Sequence, residues 1–175
     1  TIDYGKGIRV ATGSFTMHNC SMSYHVAGST TSAALTFSQG SPLINASTFT
    51  NNVVPAFGSG ANIESAPWFI NNYLENNNTS NTNRPQINMG PSGNDTIRII
   101  VNVIKGNPLL TLVGGISASS LLGNTNRVLI DGNTITGNRY GITVAGAASS
   151  GYIRNNTIED NNTQNNPAQD GSGIS

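Results

Sequence analysis

Two short patterns of apolar and polar residues alternate along the chain. In the first, two apolar residues five positions apart enclose polar residues, usually with asparagine: Met17-His-Asn-Cys-Ser-Met22, Ile44-Asn-Ala-Ser-Thr-Phe49, Phe69-Ile-Asn-Asn-Tyr-Leu74, Ile99-Ile-Val-Asn-Val-Ile104, Ile130-Asp-Gly-Asn-Thr-Ile135 and Ile153-Arg-Asn-Asn-Thr-Ile158. The second apolar residue of each copy serves as an anchor, and the anchors stand 27, 25, 30, 31 and 23 residues apart. The second pattern, a small or polar residue followed by apolar-polar-apolar, falls between them: Gly7-Ile8-Arg9-Val10, Ala34-Leu35-Thr36-Phe37, Gly60-Ala61-Asn62-Ile63, Gln86-Ile87-Asn88-Met89, Gly115-Ile116-Ser117-Ala118, Gly141-Ile142-Thr143-Val144 and Gly173-Ile174-Ser175.

Within each copy the period is two, which is the signature of a strand, and no segment sustains the 3.6-residue period of a helix. One short rung has nothing of its own to pack against, so strands returning at this interval bury their apolar side chains only by coiling and stacking. The expected architecture is an all-β, single-stranded parallel β-helix of about six to seven coils over residues 1–175, without substantial helix. At an inter-strand spacing of about 4.8 Å such a stack forms a rod roughly 30 Å long.

Equivalent positions form columns. Two residues before the anchors stand Cys20, Ser47, Asn72, Asn102, Asn133 and Asn156; three after them stand His25, Asn52, Asn77, Asn107, Asn138 and Asn161. Asparagine tolerates left-handed backbone, and its amide both donates and accepts, so two asparagine ladders are expected at the corners. On this reading Cys20 and His25 begin ladders and are neither a nucleophile nor a metal ligand. The columns also set Asp131 beside Arg154 and Glu75 beside Lys105 as cross-rung ion pairs.

Composition agrees with turns rather than helices: 26 Asn and 20 Gly stand beside 9% charged residues. Eight basic and eight acidic residues give zero formal net charge, so neither nucleic acid nor an anionic membrane is an expected partner. No apolar run approaches the ~20 residues that span a bilayer, so no membrane insertion is expected. The chain opens on Thr1 and closes in mid-pattern at Gly173-Ile174-Ser175, the reading expected of a piece of a longer solenoid, with neighbouring coils or domains of the same protein as partners. The lone Cys20 makes no internal disulfide.

The corners Gly132-Asn133-Thr134-Ile135 and Asn155-Asn156-Thr157-Ile158, with Tyr140-Gly141-Ile142-Thr143-Val144, resemble the right-handed parallel β-helix repeats of the pectate-lyase-like superfamily. Within it they are most similar to the NosD-like and carbohydrate-binding/sugar-hydrolase repeats of secreted bacterial proteins. The resemblance implies right-handed winding, secretion or cell-surface exposure, and contact with polysaccharide. It describes how a coil closes and carries no particular chemistry.

Catalytic signals are weak. The acids Asp3, Glu64, Glu75, Asp95, Asp131, Glu159, Asp160 and Asp170 fall mostly on different faces or rungs, without the close carboxylate pair that glycoside hydrolysis needs. Glu159 and Asp160 read as flanking a solvated turn. Asp160 and Asp170 could bracket a cation on the intervening loop, but no calcium-loop spacing is present. His18 and His25 lack a third ligand for zinc, no nucleophile elbow occurs, and the Asn-x-Ser/Thr triplets are what this composition yields by chance. No cofactor is implied.

The second pattern supplies the candidate ligand-binding row: Arg9, Thr36, Asn62, Asn88, Ser117, Thr143 and Ser175 between inward apolar residues, with Glu64 beside them. The alternative for this row is an ordinary solvated strand face. Phe37 and Trp68 are expected in or near inward columns, which leaves the row without an aromatic platform, and its mixed Arg, Asn and Ser content argues against an ice-binding array. The functional expectation is a secreted or surface module that binds polysaccharide without its own catalytic constellation. Its rivals are a structural stalk of an adhesin or passenger protein, and part of a lyase, epimerase or hydrolase whose catalytic rungs lie elsewhere.

Overall fold

The computed structural model describes residues 2–3, 5–11, 13–28, 31–166 and 173–174. Its strands, numbered in chain order, form three parallel sheets wound around one core. The first sheet stacks β1 (Ile2–Asp3), β4 (Ser21–Ser23), β7 (Thr48–Thr50), β10 (Tyr73–Glu75), β13 (Val103–Lys105), β16 (Thr134–Thr136) and β19 (Thr157–Glu159). The second stacks β2 (Ile8–Val10), β5 (Leu35–Phe37), β8 (Phe57–Ser59), β11 (Ile87–Met89), β14 (Ile116–Ala118) and β17 (Ile142–Thr143). The third stacks β3 (Thr16–His18), β6 (Leu43–Asn45), β9 (Trp68–Ile70), β12 (Ile97–Ile100), β15 (Asn126–Asp131) and β18 (Ser149–Arg154). Each sheet neighbour lies one turn away in sequence, so the chain is an all-β parallel solenoid of about six turns, with no helix among the described residues.

The anchors stack in register: Met22 on Phe49, Phe49 on Leu74, Leu74 on Ile104, Ile104 on Ile135 and Ile135 on Ile158. The first five are wholly buried and Ile158 is half-buried. The other apolar residue of each copy forms a second column, Met17, Ile44, Phe69, Ile99, Ile130 and Ile153. Pleating turns alternate residues outward, so three-residue strands place one or two side chains in the core and the rest on the surface.

One copy of the second pattern departs from expectation. Strand β8 is Phe57-Gly58-Ser59, and Gly60-Ala61-Asn62-Ile63 forms the loop after it. Burial explains the shift, because a phenyl ring removes far more apolar surface from water than the methyl of Ala61. Phe57 stacks on Phe69 at 4.2 Å between ring centroids and meets Phe49 edge-on at 4.6 Å. Gly58 suits the strand because a Cβ there would stand 3.1 Å from that of Ala33.

The first sheet is bracketed by left-handed residues. Three before the anchors, Asn19, Ala46, Asn71, Val101, Gly132 and Asn155 have φ between 49° and 66°; two after them, Tyr24, Asn51, Asn76, Gly137 and Asp160 have φ between 53° and 67°. On the inner coils these left-handed kinks turn the following asparagine, or Ser47, into its ladder, whereas Cys20 and His25 on the first coil join through the backbone N–H alone. In the first ladder, Asn72, Asn102 and Asn133 each donate from the backbone N–H and from Nδ2 to Oδ1 of the next asparagine, at 2.8–3.0 Å. Nδ2 of Asn72, Asn102, Asn133 and Asn156 also donates to the carbonyls of Ile44, Phe69, Ile99 and Ile130. At the start of this column the Cys20 N–H donates to Ser47 Oγ, and the Ser47 N–H donates to Asn72 Oδ1.

The second ladder corrects one expected member. It runs from the backbone N–H of His25 through Asn52, Asn77, Gln86, Asn138 and Asn161; Asn107 is absent from it. Gly106 lacks the left-handed φ of its counterparts, and Asn107 turns outward, where its Nδ2 donates to Asn76 Oδ1. Asn76 in turn donates to Asn51, giving a shorter outer ladder. The vacated interior place is taken by Gln86, whose longer side chain accepts from Asn77 at 2.9 Å and donates to Asn138 at 3.0 Å and to the Lys105 carbonyl. Removing a buried amide strands its partners at a cost of about 1–3 kcal/mol each. Gln86→Ala is therefore expected to lower the unfolding free energy by about 2–4 kcal/mol, and Asn107→Ala by less than about 1 kcal/mol, in urea titrations.

Candidate functional site

On the outer face of the second sheet the strand register is Arg9, Thr36, Gly58, Asn88, Ser117 and Thr143. Arg9, Thr36, Asn88, Ser117 and Thr143 thus share one line as expected. Asn62 and Glu64 lie off it, in the segment after β8, and Ser175 lies outside the described residues. The same aromatic burial that moved β8 placed Gly58 where a polar side chain was expected.

The row is not a continuous polar strip. Thr36 is 8% exposed, and its Oγ1 is occupied by the backbone N–H groups of Ser32 and Ala33. Arg9 Nε donates to Ser38 Oγ at 2.8 Å. The Gly60–Ile63 loop borders an open recess of about 500 Å³ beside Arg9 and Thr36, and a separate one of about 330 Å³ holds Asn88, Ser117 and Thr143. Glu64 Oε1 accepts from Asn124 Nδ2 at 3.4 Å.

Both expected cross-rung ion pairs are present, Lys105–Glu75 at 2.8 Å and Arg154–Asp131 at 2.9 Å. The Lys105 ammonium, followed by the Tyr73 hydroxyl, holds the Glu75 carboxyl below its ordinary range. Asn155 and then Arg154 do the same for Asp131, and Asp95 is lowered by Ser41, the Thr96 N–H and Arg98. Three carboxylates are therefore committed to surface networks. Asp160 occupies a left-handed turn, Asp170 lies outside the described residues, and among the described residues no three His, Cys, Asp or Glu converge as a metal site. Cys20 is exposed, with Sγ 3.4 Å from the His18 carbonyl; His25 is buried at the head of its ladder.

The third sheet carries what the sequence reading missed. Trp68 points outward, not into the core, and is 39% exposed, whereas Phe37 is buried as expected. The outward register runs Leu43, Trp68, Arg98, Leu129 and Tyr152, with Tyr152 72% exposed. The Arg98 guanidinium lies over the Trp68 ring, 4.4 Å from its centroid. Arg98, Leu129 and Tyr152 of this strip line an open recess of about 610 Å³ that also includes Arg127 and Arg154. Its signal was available in the alternation: Phe69 is inward, so its neighbour Trp68 is outward, and the same parity places Arg98, Leu129 and Tyr152 beside Ile99, Ile130 and Ile153.

No family model matches the chain, and neither a curated protein nor a solved structure shows significant similarity to it.

The lowered carboxyls give a signed pH dependence. A group whose folded pKa lies below its unfolded value contributes stability above the ordinary carboxylate range and loses it as pH falls through the lowered value. The melting temperature is expected to fall below about pH 4, and the combined Glu75→Gln, Asp95→Asn and Asp131→Asn variant should show a shallower acid decline in melts recorded across pH.

Proposed function

We propose that the chain is a non-catalytic module of a secreted or cell-surface β-helix protein, related to the pectate-lyase-like repeats, that binds polysaccharide on the outer face of its third sheet. The observation that carries this reading is the outward column of Trp68, Arg98, Leu129 and Tyr152, the last three of which line an open recess. Flat side chains with an apolar body suit the mixed faces of a pyranose ring. Trp68 and Tyr152 are three rungs apart, about 14 Å at the strand spacing, so an extended chain meets several contacts at once. Backbone pairing on the inner rungs holds this face in place before ligand arrives, which limits the ordering cost of binding.

The polar recess at Asn88, Ser117 and Thr143 offers hydrogen-bonding groups without an exposed ring, and it serves in this reading as a secondary contact. A structural stalk is the second reading, supported by the uninterrupted ladders and in-register stacking. The two differ in outcome. If the face binds glycan, Tyr152→Ala lowers oligosaccharide affinity about tenfold in calorimetric titration while leaving the melting temperature of the free protein unchanged; a stalk shows no saturable heat with any glycan tested.

A further inference from the structure

The arginines of the third-sheet recess differ in how their charges are used. Arg98 lies on Trp68 and pairs with Asp95 at 3.3 Å. Arg154 pairs with Asp131 at 2.9 Å. Arg127 is exposed and forms no ion pair with any described carboxylate; its Nη1 donates instead to the Asn94 carbonyl at 2.8 Å. Its backbone N–H is held by Ser92 Oγ at 2.7 Å. Three guanidiniums therefore line the recess, two of them paired with the carboxylates of Asp95 and Asp131, and the third, Arg127, is held by a backbone carbonyl alone.

We propose that this recess selects a polysaccharide bearing anionic substituents, carboxylate or sulfate, with Arg127 receiving the anionic group and Tyr152 supporting an adjacent ring. The inference rests on the glycan-binding reading of the same face and adds the chemical class of the ligand. A guanidinium tethered by one N–H retains others for a charged oxygen, and charge-assisted hydrogen bonds of this kind exceed neutral ones in strength. Holding Arg127 on the Asn94 carbonyl reduces the side-chain entropy lost on binding. One free positive charge beside an aromatic face suits a chain with sparse, spaced charges; a nucleic acid strand, with a charge on every unit, calls for the denser basic surface that this neutral chain lacks.

The test titrates the 175-residue chain with three oligosaccharides of matched length: hyaluronan, which carries only carboxylates, keratan sulfate, which carries only sulfates, and neutral cellohexaose. At least one anionic chain is expected to bind about tenfold more tightly than the neutral one, with the preference shrinking as sodium chloride rises. Whichever anionic chain prevails identifies the source of the charge. Arg127→Gln should abolish the preference and leave neutral-chain affinity in place, Arg127→Lys should keep part of it, and Arg84→Gln, in the exposed segment before β11, should leave it unchanged.

Equal binding of neutral and anionic chains, or an unaltered preference in Arg127→Gln, overturns the anion inference and leaves the glycan reading standing. No binding of any of the three overturns both. Tighter binding of a single-stranded DNA oligomer than of either anionic glycan also overturns it. If Arg127→Gln fails to fold, the salt dependence of the unmodified chain decides the point, because a preference insensitive to salt contradicts a role for charge.

Discussion

The corner is the constraint on which this fold depends. A strand that stops after three residues and turns leaves backbone N–H and C=O groups beside an apolar core, where unpaired polar groups are costly. The ladders answer this need: a left-handed residue turns an asparagine inward, and its amide accepts from one rung while donating to others. The amide of Asn102 shows the full pattern. Its Oδ1 accepts from the N–H and Nδ2 of Asn72, and its Nδ2 donates to Asn133 and to the Phe69 carbonyl. With the corners satisfied, Met22, Phe49, Leu74, Ile104 and Ile135 can stack in a dry interior.

The same constraint explains which parts of the structure were legible in the sequence. A period of two joined to a recurring asparagine is a local pattern, so the sheets, the anchor column, the first ladder and the pairs Glu75–Lys105 and Asp131–Arg154 follow from counting. What counting missed were places where nonlocal packing chose between similar local options. Phe57 displaced Ala61 because three other phenylalanines surround it in space, and the choice moved Asn62 out of the row. Gln86 replaced Asn107 because the backbone at Gly106 does not turn left-handed, a conformational fact that an asparagine at the expected spacing does not reveal. At Val101 a β-branched residue adopts a φ of 55°, which intrinsic preference alone would disfavour and the repeating corner imposes.

The candidate site was only partly legible for a related reason. The expected row had the right strand and the right parity at Arg9, Thr36, Asn88, Ser117 and Thr143, but Thr36 is consumed by a turn. Trp68 is expected in or near an inward column, whereas the alternation around Phe69 places it outside. Once that parity is followed down the third sheet, the exposed aromatic and arginine side chains become one surface. The rigidity that closes the corners also fixes the spacing of that surface, which links the interior of the solenoid to what its face can bind.

Hydrogen exchange of the side-chain amides tests the ladder account most directly. In NMR spectra the Nδ2 protons of Asn72, Asn102 and Asn133, and Nε2 of Gln86, should exchange as slowly as the backbone amides of Ile99 and Ile104, since both open only when rungs separate. Exchange of those side-chain protons at the rate of the exposed Asn62 amide, while the strands remain protected, would contradict the claim that the ladders hold the coils in register.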